Sequence, residues 1–231
     1  MNIAENYKHL RREIPDKVTI VLAAKKRTPQ ELVEAIEAGA TDIGENYVQE
    51  AGQMYSALKK DAAKVRWHMI GGLQTNKINK ALRIFDAIQT VESLTKAVAI
   101  DRRIERARKD RVPIYIEINI GSEDSKAGVK PMEHEPFDEY IENLAREISR
   151  LEHIKLEGLM TMGPRFGNPE DVRPYFRRTK KIFEKINTLS LPNVDMKYLS
   201  MGMTNSYRVA IEEGSNMVRI GTLIFGERKY E

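Results

Sequence analysis

The chain has 231 residues, of which 41% are hydrophobic and 31% charged, and its formal net charge is +4. This balance can bury a large core beneath a soluble surface, which excludes a disordered chain. Cysteine is absent, so disulfides, thiolate catalysis and zinc–thiolate sites are excluded. The longest apolar runs are too short to span a bilayer, and the first residues lack the apolar stretch of a secretory signal. We therefore expect a cytoplasmic protein without a membrane partner.

The excess of basic residues is small and scattered. Lysine and arginine alternate with acidic residues in REISRLEHIK and RRTKKIFEKI, a pattern typical of solvated helix faces with local ion pairs. Aromatic residues make up only 7% of the chain and do not interleave with a basic stripe. The pattern argues against a nucleic-acid partner, and a small anionic ligand explains the positive balance equally well.

The predicted elements alternate along the chain. An opening helix near residues 2–12 is followed by short apolar runs separated by amphipathic segments such as 29–40 and 93–109. The predicted strands are 18–25, 42–46, 66–71, 85–91, 113–120, 155–163, 197–202 and 216–226. Such alternation predicts a parallel sheet. Their number and spacing favour an α/β fold, a single (β/α)8 TIM barrel with an extra N-terminal helix, over the alternative of a doubly wound open sheet. Without a linker, residues 1–231 are predicted to form one domain.

Two lysines close the first predicted strand. Active groups of TIM barrels lie at the carboxyl ends of strands, and strand alternation predicts that Leu22 and Ala24 share the inward face with Lys26. A lysine partly enclosed at the mouth can supply the neutral amine that attacks an aldehyde. The alternative is that Lys25 and Lys26 only solvate the strand end.

The ends of the seventh and eighth strands predict a phosphate site. Ser200, Gly202 and Thr204 follow the seventh strand, and Gly221 and Thr222 lie in the eighth run. Glycines allow close backbone approach, and TIM barrels repeatedly bind phosphate at the loops after these two strands. An ordinary glycine turn with a hydroxyl cap is the alternative.

Polar residues within apolar strands are the remaining signals. Arg219 lies in the eighth strand and needs a partner, either Glu117 or the ring nitrogen of a bound heterocycle. In the fifth strand, Tyr115, Glu117 and Asn119 alternate with isoleucines, which predicts a polar cluster inside the barrel.

Isolated polar residues after the second and third strands give weaker signals. Asn46, His68 and Asn76 could line a ligand pocket, and they are equally typical of structural polar groups. The four histidines have no metal-ligand spacing, so no metal site is predicted.

Seven segments resemble, in the same order, those of the YggS/PROSC family of pyridoxal-phosphate (PLP) homeostasis proteins. They are LAAKKRTP, AGATDIGENYVQE, RWHMIGGLQTNK, EDSKAG, EGLMTMG, SMGMTNSY and MVRIGTLIFG, and they span residues 18–227. The resemblance implies a fold-type III barrel, like the amino-terminal domain of alanine racemase, with pyridoxal 5'-phosphate as cofactor. It also implies a monomer or weak dimer and PLP-dependent apoenzymes as candidate recipients.

The resemblance implies a role for individual residues. Lys26 matches the Schiff-base lysine, Arg219 the arginine that faces the pyridine nitrogen, and Lys126 a second lysine linked to PLP handling. The residues implied to line the pocket or bind the phosphate are Asn46, His68, Met160, Ser200, Gly202, Met203, Thr204, Gly221 and Thr222.

The sequence departs from the family pattern in two places. Lys25 and Arg27 flank Lys26 where the family usually has serine and threonine, which adds positive charge near the imine. Ser206 stands where the family commonly has an acid, so whatever that carboxylate orients must be oriented otherwise here.

Three functions remain open: a PLP carrier in cofactor homeostasis, a weak PLP-dependent amino-acid racemase, and a phosphate-binding metabolic barrel without PLP. Two-base racemisation needs an acid/base group on each face of the substrate carbon. The resemblance to alanine racemase implies that the second base, a tyrosine, acts only with the help of a second, β-rich domain and a partner subunit. This chain ends at residue 231, just after the eighth strand, so we expect little or no catalysis and predict no catalytic residue.

Overall fold

The structure is a computed structural model that describes residues 2–107, 110–121, 128–129, 136–163 and 167–227. Within them, eight parallel strands form a closed barrel in the order β1 to β8, which confirms the TIM barrel and rules out an open sheet. The strands are β1 (Thr19–Ala23), β2 (Asp42–Glu45), β3 (Arg66–Met69), β4 (Ala87–Val91), β5 (Val112–Ile118), β6 (Ile154–Thr161), β7 (Val194–Met201) and β8 (Met217–Ile220).

Helices surround the barrel. In the described residues they are α1 (Ile3–Glu13), α2 (Pro29–Glu37), α3 (Val48–Leu58), α4 (Ile78–Ala81), α5 (Leu94–Ala107), α6 (Phe137–Ile148), α7 (Arg173–Thr188), α8 (Tyr207–Glu212) and α9 (Thr222–Phe225), with short 3-10 turns at 59–64, 75–77 and 169–172. None of these helices combines the length and apolar character needed to cross a bilayer.

The two faces of the strands differ in polarity. Ile114, Ile116 and Ile118 of β5 pack in the main apolar core against the helices. Tyr115 packs in a separate, smaller cluster inside the barrel, and Glu117 is 3% exposed. The predicted polar inner face of the fifth strand is thereby confirmed. Because the outer faces supply most of the apolar burial, the interior can carry polar groups wherever they are hydrogen-bonded.

The predicted orientation of β1 is wrong. Leu22 and Ala24 belong to the outer core, whereas Val21 faces the barrel interior. The strand ends at Ala23, and the chain then leaves the ladder in a turn in which Lys26 has a φ of 60°. Alternation holds only within a strand, so it does not carry over to Lys26.

The predicted extent of the eighth strand is also wrong. β8 ends at Ile220, and the following residues form α9, in which the Phe225 N–H donates to the Gly221 carbonyl at 3.0 Å. In α9 the adjacent residues Ile224 and Phe225 are both buried while Leu223 is 42% exposed. A short apolar run does not distinguish a strand from a single helical turn.

Helix α1 confirms the predicted N-terminal helix and packs beside α2 and α9. The Asn6 side-chain amide donates to the Ile224 carbonyl at 3.0 Å, and the Tyr207 hydroxyl donates to Glu13 Oε1 at 2.6 Å. These bonds join α1 to elements about two hundred residues away, at the seam where β1 pairs with β8.

Candidate functional site at the mouth of the barrel

The carboxyl ends of β1, β7 and β8 meet on one side of the mouth. The Arg219 N–H donates to the Gly202 carbonyl at 3.0 Å, and a Cβ on Gly221 would lie 3.3 Å from the Ala23 carbonyl oxygen. Gly202 has a φ of +94°, and a Cβ there would lie 2.5 Å from Ala210 Cβ. Glycine is therefore required at position 202 both by backbone conformation and by packing.

Lys26 lies at this mouth, in the turn that follows β1. It is exposed, so the expected partial enclosure is wrong. Its φ of 60° is uncommon for a residue with a side chain, and such strained residues concentrate at functional sites. The N-cap Thr28 and Glu31 form a capping box that starts α2 directly after the turn, which fixes the lysine between two regular elements.

The neighbours of Lys26 are engaged elsewhere. Lys25 Nζ lies 3.4 Å from the Tyr47 hydroxyl and 4.9 Å from the centre of the Tyr47 ring. Arg27 donates to the carbonyls of Phe225 and Gly226 at 3.0 and 2.5 Å, which ties this turn to the end of α9. Lys25 and Arg27, which replace the serine and threonine usual in the family, thus each bond to groups other than Lys26.

A groove of about 280 Å³ lies beside Lys26, lined also by Glu45, Glu50 and Met54 among others. Glu45 ends β2 and is 1% exposed, and its Oε2 has no hydrogen-bond partner. Burial, reinforced by the nearby charge of Glu50, raises the pKa of Glu45 to about 7. The groove therefore holds a carboxyl group whose charge changes near neutral pH.

The turn between β7 and α8 presents backbone donors. The N–H groups of Ser206 and Tyr207 both donate to the Met203 carbonyl at 2.8 Å, and the Met203 N–H donates to Ser206 Oγ at 3.2 Å. Ser206 thus orients this turn with its hydroxyl. Among the described residues, the N–H groups of Thr204 and Asn205 have no carbonyl partner. Successive unpaired N–H groups in a turn form a concavity suited to an anion.

Arg219 is 5% exposed and hydrogen-bonds to oxygen atoms of neighbouring strands. Nη1 donates to the Ser200 carbonyl at 2.9 Å and to Ser200 Oγ at 2.7 Å, and Nη2 donates to the Thr161 carbonyl at 2.8 Å. Burial lowers the pKa of Arg219 to about 10, an effect opposed by Glu117. The guanidinium is therefore charged at neutral pH, and its Nε–H and one Nη2–H are not used by these bonds.

Glu117, the protein partner considered for Arg219, makes no ion pair with it within 4.0 Å in the described part of the chain. It lines a small cavity at the ends of β5 and β6 together with Asn119, Thr161 and Gly163, and its Oε2 has no hydrogen-bond partner. Burial raises the pKa of Glu117 to about 7, although the charge of Arg219 acts in the opposite direction.

Three of the implied pocket residues lie inside the barrel. His68, Met160 and Ser200 are each 0% exposed. His68 Nε2 is 2.7 Å from Asp42 Oδ1, its Nδ1 is 2.9 Å from Gln89 Nε2, and the Ser200 hydroxyl donates to Gln89 Oε1 at 2.7 Å. The assigned roles of these residues in cofactor binding stay predictions.

The other implied residues lie closer to the rim. Asn46 is half-buried and is held against the end of β3, since a Cβ on Gly71 would lie 2.4 Å from the Asn46 carbonyl oxygen. Thr204 is half-buried and Thr222 exposed. Asn76 is exposed, and Lys126 lies outside the described residues.

Sequence reasoning missed several site residues. Gln89 and Asp42 are polar residues in apolar strands, a signal that could have been read as it was for Arg219. The acceptors at Ser200 and Thr161 are backbone carbonyls, which no side-chain pattern reveals.

Comparison with known proteins places this geometry in a family. The family model described as "Alanine racemase, N-terminal domain" matches residues 1–229. An alanine racemase from Clostridium difficile 630 superimposes with a TM-score of 0.76 at 15% identity, covering 100% of this chain and 57% of that chain, a likeness of fold alone. The matched model and the closed barrel define the class: an alanine-racemase-type amino-terminal barrel.

Relatives within that class are closer. A protein of Aquifex aeolicus named "Pyridoxal phosphate homeostasis protein" is 40% identical over 213 residues, covering 91% of this chain and 87% of the relative. PipY of Synechococcus elongatus, solved with PLP bound, has a TM-score of 0.86 at 27% identity and covers 97% of this chain and 100% of its own. The chain belongs to the family of pyridoxal phosphate homeostasis proteins, as the resemblance of its segments predicted.

Proposed function

We propose that this protein binds pyridoxal 5'-phosphate at the mouth of its barrel, holds it as a Schiff base on Lys26, and serves cofactor homeostasis with little or no catalysis of its own. The observation that carries the proposal is that the carboxyl ends of β1, β7 and β8, which are neighbours in the barrel, carry an exposed lysine, a buried guanidinium and a glycine-lined turn with unpaired N–H groups. These are an amine, a cation and an anion cradle, which match an aldehyde, a pyridine nitrogen and a phosphate.

Lys26 supplies the amine. Lys26 follows the end of β1 by three residues, and at that end a Cβ on Gly221 would lie 3.3 Å from the Ala23 carbonyl oxygen. Lys25 is the only other lysine in this turn, and it extends toward Tyr47. The bound cofactor would supply a carbonyl carbon for the imine and an electron-withdrawing ring.

Arg219 fits the pyridine nitrogen. Three of its N–H groups are held by carbonyl and hydroxyl oxygens, which fixes the plane of the guanidinium. The unused Nε–H can then donate to a ring nitrogen that carries no proton. A charged arginine at this position keeps the nitrogen unprotonated and weakens the ring as an electron sink.

The turn after β7 fits the phosphate. Gly202 brings the backbone close to the mouth, and the unpaired N–H groups of Thr204 and Asn205 follow it. The hydroxyls of Thr204 and Thr222 lie in the two loops that bind phosphate in many TIM barrels. Ser200, whose side chain donates to Gln89 and accepts from Arg219, would act on the cofactor through the arginine.

The homeostasis role rests on the names of the relatives. Recipients among PLP-dependent apoenzymes, a monomeric or weakly dimeric state and a cytoplasmic location stay predictions. Weak racemisation is the competing function.

The decisive experiment is mass spectrometry of the protein after addition of PLP and reduction with borohydride. We expect a visible absorption band that borohydride removes and a reduced adduct on Lys26. Lys26→Ala should lack both, whereas the matched control Lys25→Ala should keep both, since the Lys25 side chain is engaged by Tyr47. An adduct on another lysine, or none at all, would overturn the assignment.

Two further measurements complete the test. Arg219→Ala should bind PLP more weakly than the wild type, and unchanged affinity would remove the arginine from the site. Racemase assays on alanine and a panel of other amino acids should give little or no turnover, and rates typical of enzymes would replace the carrier with a racemase.

A further inference from the structure

Five buried side chains cross the barrel interior in a continuous hydrogen-bonded series, which we call the interior chain. In order they are Arg219, Ser200, Gln89, His68 and Asp42, from β8, β7, β4, β3 and β2, and none is more than 8% exposed. The four joining distances are 2.7, 2.7, 2.9 and 2.7 Å. The series runs from the mouth, where Arg219 lies, to Asp42 at the start of β2.

The donor and acceptor chemistry of the five groups assigns a direction to each bond. Arginine can only donate, so Ser200 Oγ accepts from Arg219 and directs its own hydrogen to Gln89 Oε1. The amide nitrogen of Gln89 then faces His68 Nδ1 and donates to it. Nδ1 is therefore unprotonated, and the single ring proton of His68 lies on Nε2, from which it is donated to Asp42.

The reverse arrangement is unfavourable. If the Gln89 amide were turned over, its oxygen would face His68 Nδ1, and that nitrogen would need the proton. In a neutral ring, Nε2 would then point its lone pair at the Asp42 carboxylate. The alternative is a doubly protonated, charged ring. Burial lowers the pKa of His68, although the hydrogen bond with Asp42 opposes this effect, so the neutral ring favours the arrangement described above.

Gln89 is the member of the chain that sets this polarity. Its Oε1 accepts from the Ser200 hydroxyl, and its Nε2 donates to the His68 ring. The amide therefore determines which nitrogen of His68 carries the proton. Gln89 Nε2 also lies 3.2 Å from Met217 Sδ, a further contact that fixes the amide plane. A hydroxyl held by Gln89 is in turn one of the three acceptors that hold Arg219.

We propose that Gln89 is a positioning residue for the cofactor site: through Ser200 it fixes the guanidinium of Arg219, and through His68 it fixes a single direction of hydrogen bonding across the barrel. The first part rests on the proposed function, because it concerns the arginine that would face the cofactor ring. The second part concerns the protein alone and holds with or without a ligand.

The direction of the chain can be measured on the cofactor-free protein by 15N NMR of the histidine rings. In the wild type, we expect His68 to be neutral with its proton on Nε2. In Gln89→Glu, a carboxylate replaces the amide donor, so both ring nitrogens face carboxylates and His68 should become doubly protonated at neutral pH. In Gln89→Met, His68 should stay neutral, because Nδ1 then has no acceptor beside it.

The effect on the site is measured as PLP affinity. Gln89→Met leaves the Ser200 hydroxyl without its acceptor and loosens the guanidinium, so we expect the dissociation constant to rise severalfold, up to about tenfold, the full factor for one hydrogen bond. The matched control is Thr90→Val. Thr90 is the next residue of β4, and its hydroxyl donates to the Gly71 carbonyl at 2.8 Å, so the control also loses one hydrogen bond but leaves the interior chain intact.

Thr90→Val should therefore lower stability without changing the His68 signals or the PLP affinity. A wild-type His68 with its proton on Nδ1, or a neutral His68 in Gln89→Glu, would overturn the assigned direction. Equal affinity losses in Thr90→Val and Gln89→Met would overturn the positioning role. A wild type that binds no PLP would instead overturn the proposed function, and the His68 signals would still decide the direction.

Discussion

Replacing Glu45 by glutamine tests the reasoning about buried carboxyl groups. Glu45 is 1% exposed with an unpartnered Oε2, and burial raises its pKa to about 7. Glu45 has a higher pKa in the folded than in the unfolded state. The contribution of this site to the free energy of unfolding is therefore highest at low pH, where the carboxyl group is protonated in both states. That stability is lost as the pH rises from the unfolded pKa toward about 7.

The magnitude follows from the shift. The pKa rises from 4.5 to about 7, and each pKa unit corresponds to about 1.4 kcal/mol, so the wild type should lose roughly 3 kcal/mol at this site between pH 4 and pH 8. Glutamine keeps the shape and cannot ionise. The free energy of unfolding of Glu45→Gln should therefore be close to that of the wild type at pH 4. At pH 8 it should exceed that of the wild type by about 3 kcal/mol.

The assay is urea unfolding at both pH values, followed by fluorescence of the single tryptophan, Trp67, which is 1% exposed. Glu117 titrates in the same range, but it is present in both proteins and cancels in the difference. The control is Glu105→Gln, the same substitution at an exposed position of α5. A Glu45→Gln difference that does not change with pH would refute the reasoning.

Two further predictions concern the backbone. Lys26→Gly should be about 1 kcal/mol more stable than Lys26→Ala, because both remove the amine and only glycine relieves the φ of 60°; thermal unfolding checks this, and equal stability would show that the turn is unstrained. Gly158→Ala should be destabilised by about 3 kcal/mol, since its Cβ would lie 2.1 Å from the Tyr198 carbonyl oxygen; a melting temperature like that of the wild type would contradict the packing.

The architecture was predictable because each strand carries its own apolar run and each helix its own amphipathic pattern. The alternation in β5 gave the correct inner face, since a period of two is a local property of a strand. The same argument was wrong for Lys26, because β1 ends three residues earlier and a turn follows. The end of β8 was misplaced for a related reason: Gly221 begins a helical turn, and composition alone does not show where the ladder stops.

The site was predictable where a charged or flexible residue stands out from its surroundings. Arg219 in an apolar strand and Gly202 after β7 gave such signals. The partners of Arg219 did not, because two of them are carbonyl oxygens whose position depends on the closure of the whole barrel. Gln89 belongs between these cases: its polarity is visible in the sequence, but its orientation depends on side chains from two other strands.

The seam between β1 and β8 has a consequence for biosynthesis. Helix α1 leaves the ribosome well before α9, yet Asn6 of α1 bonds to Ile224 of α9, 218 residues later. At typical elongation rates of about 5–20 residues per second, α1 must wait roughly 10–40 s for that contact. During this interval the apolar face carrying Ile3 and Leu10 has only part of its packing surface available. Nascent molecules are therefore exposed to aggregation until β8 and α9 emerge, and chaperones that shield α1 should improve the yield of folded protein.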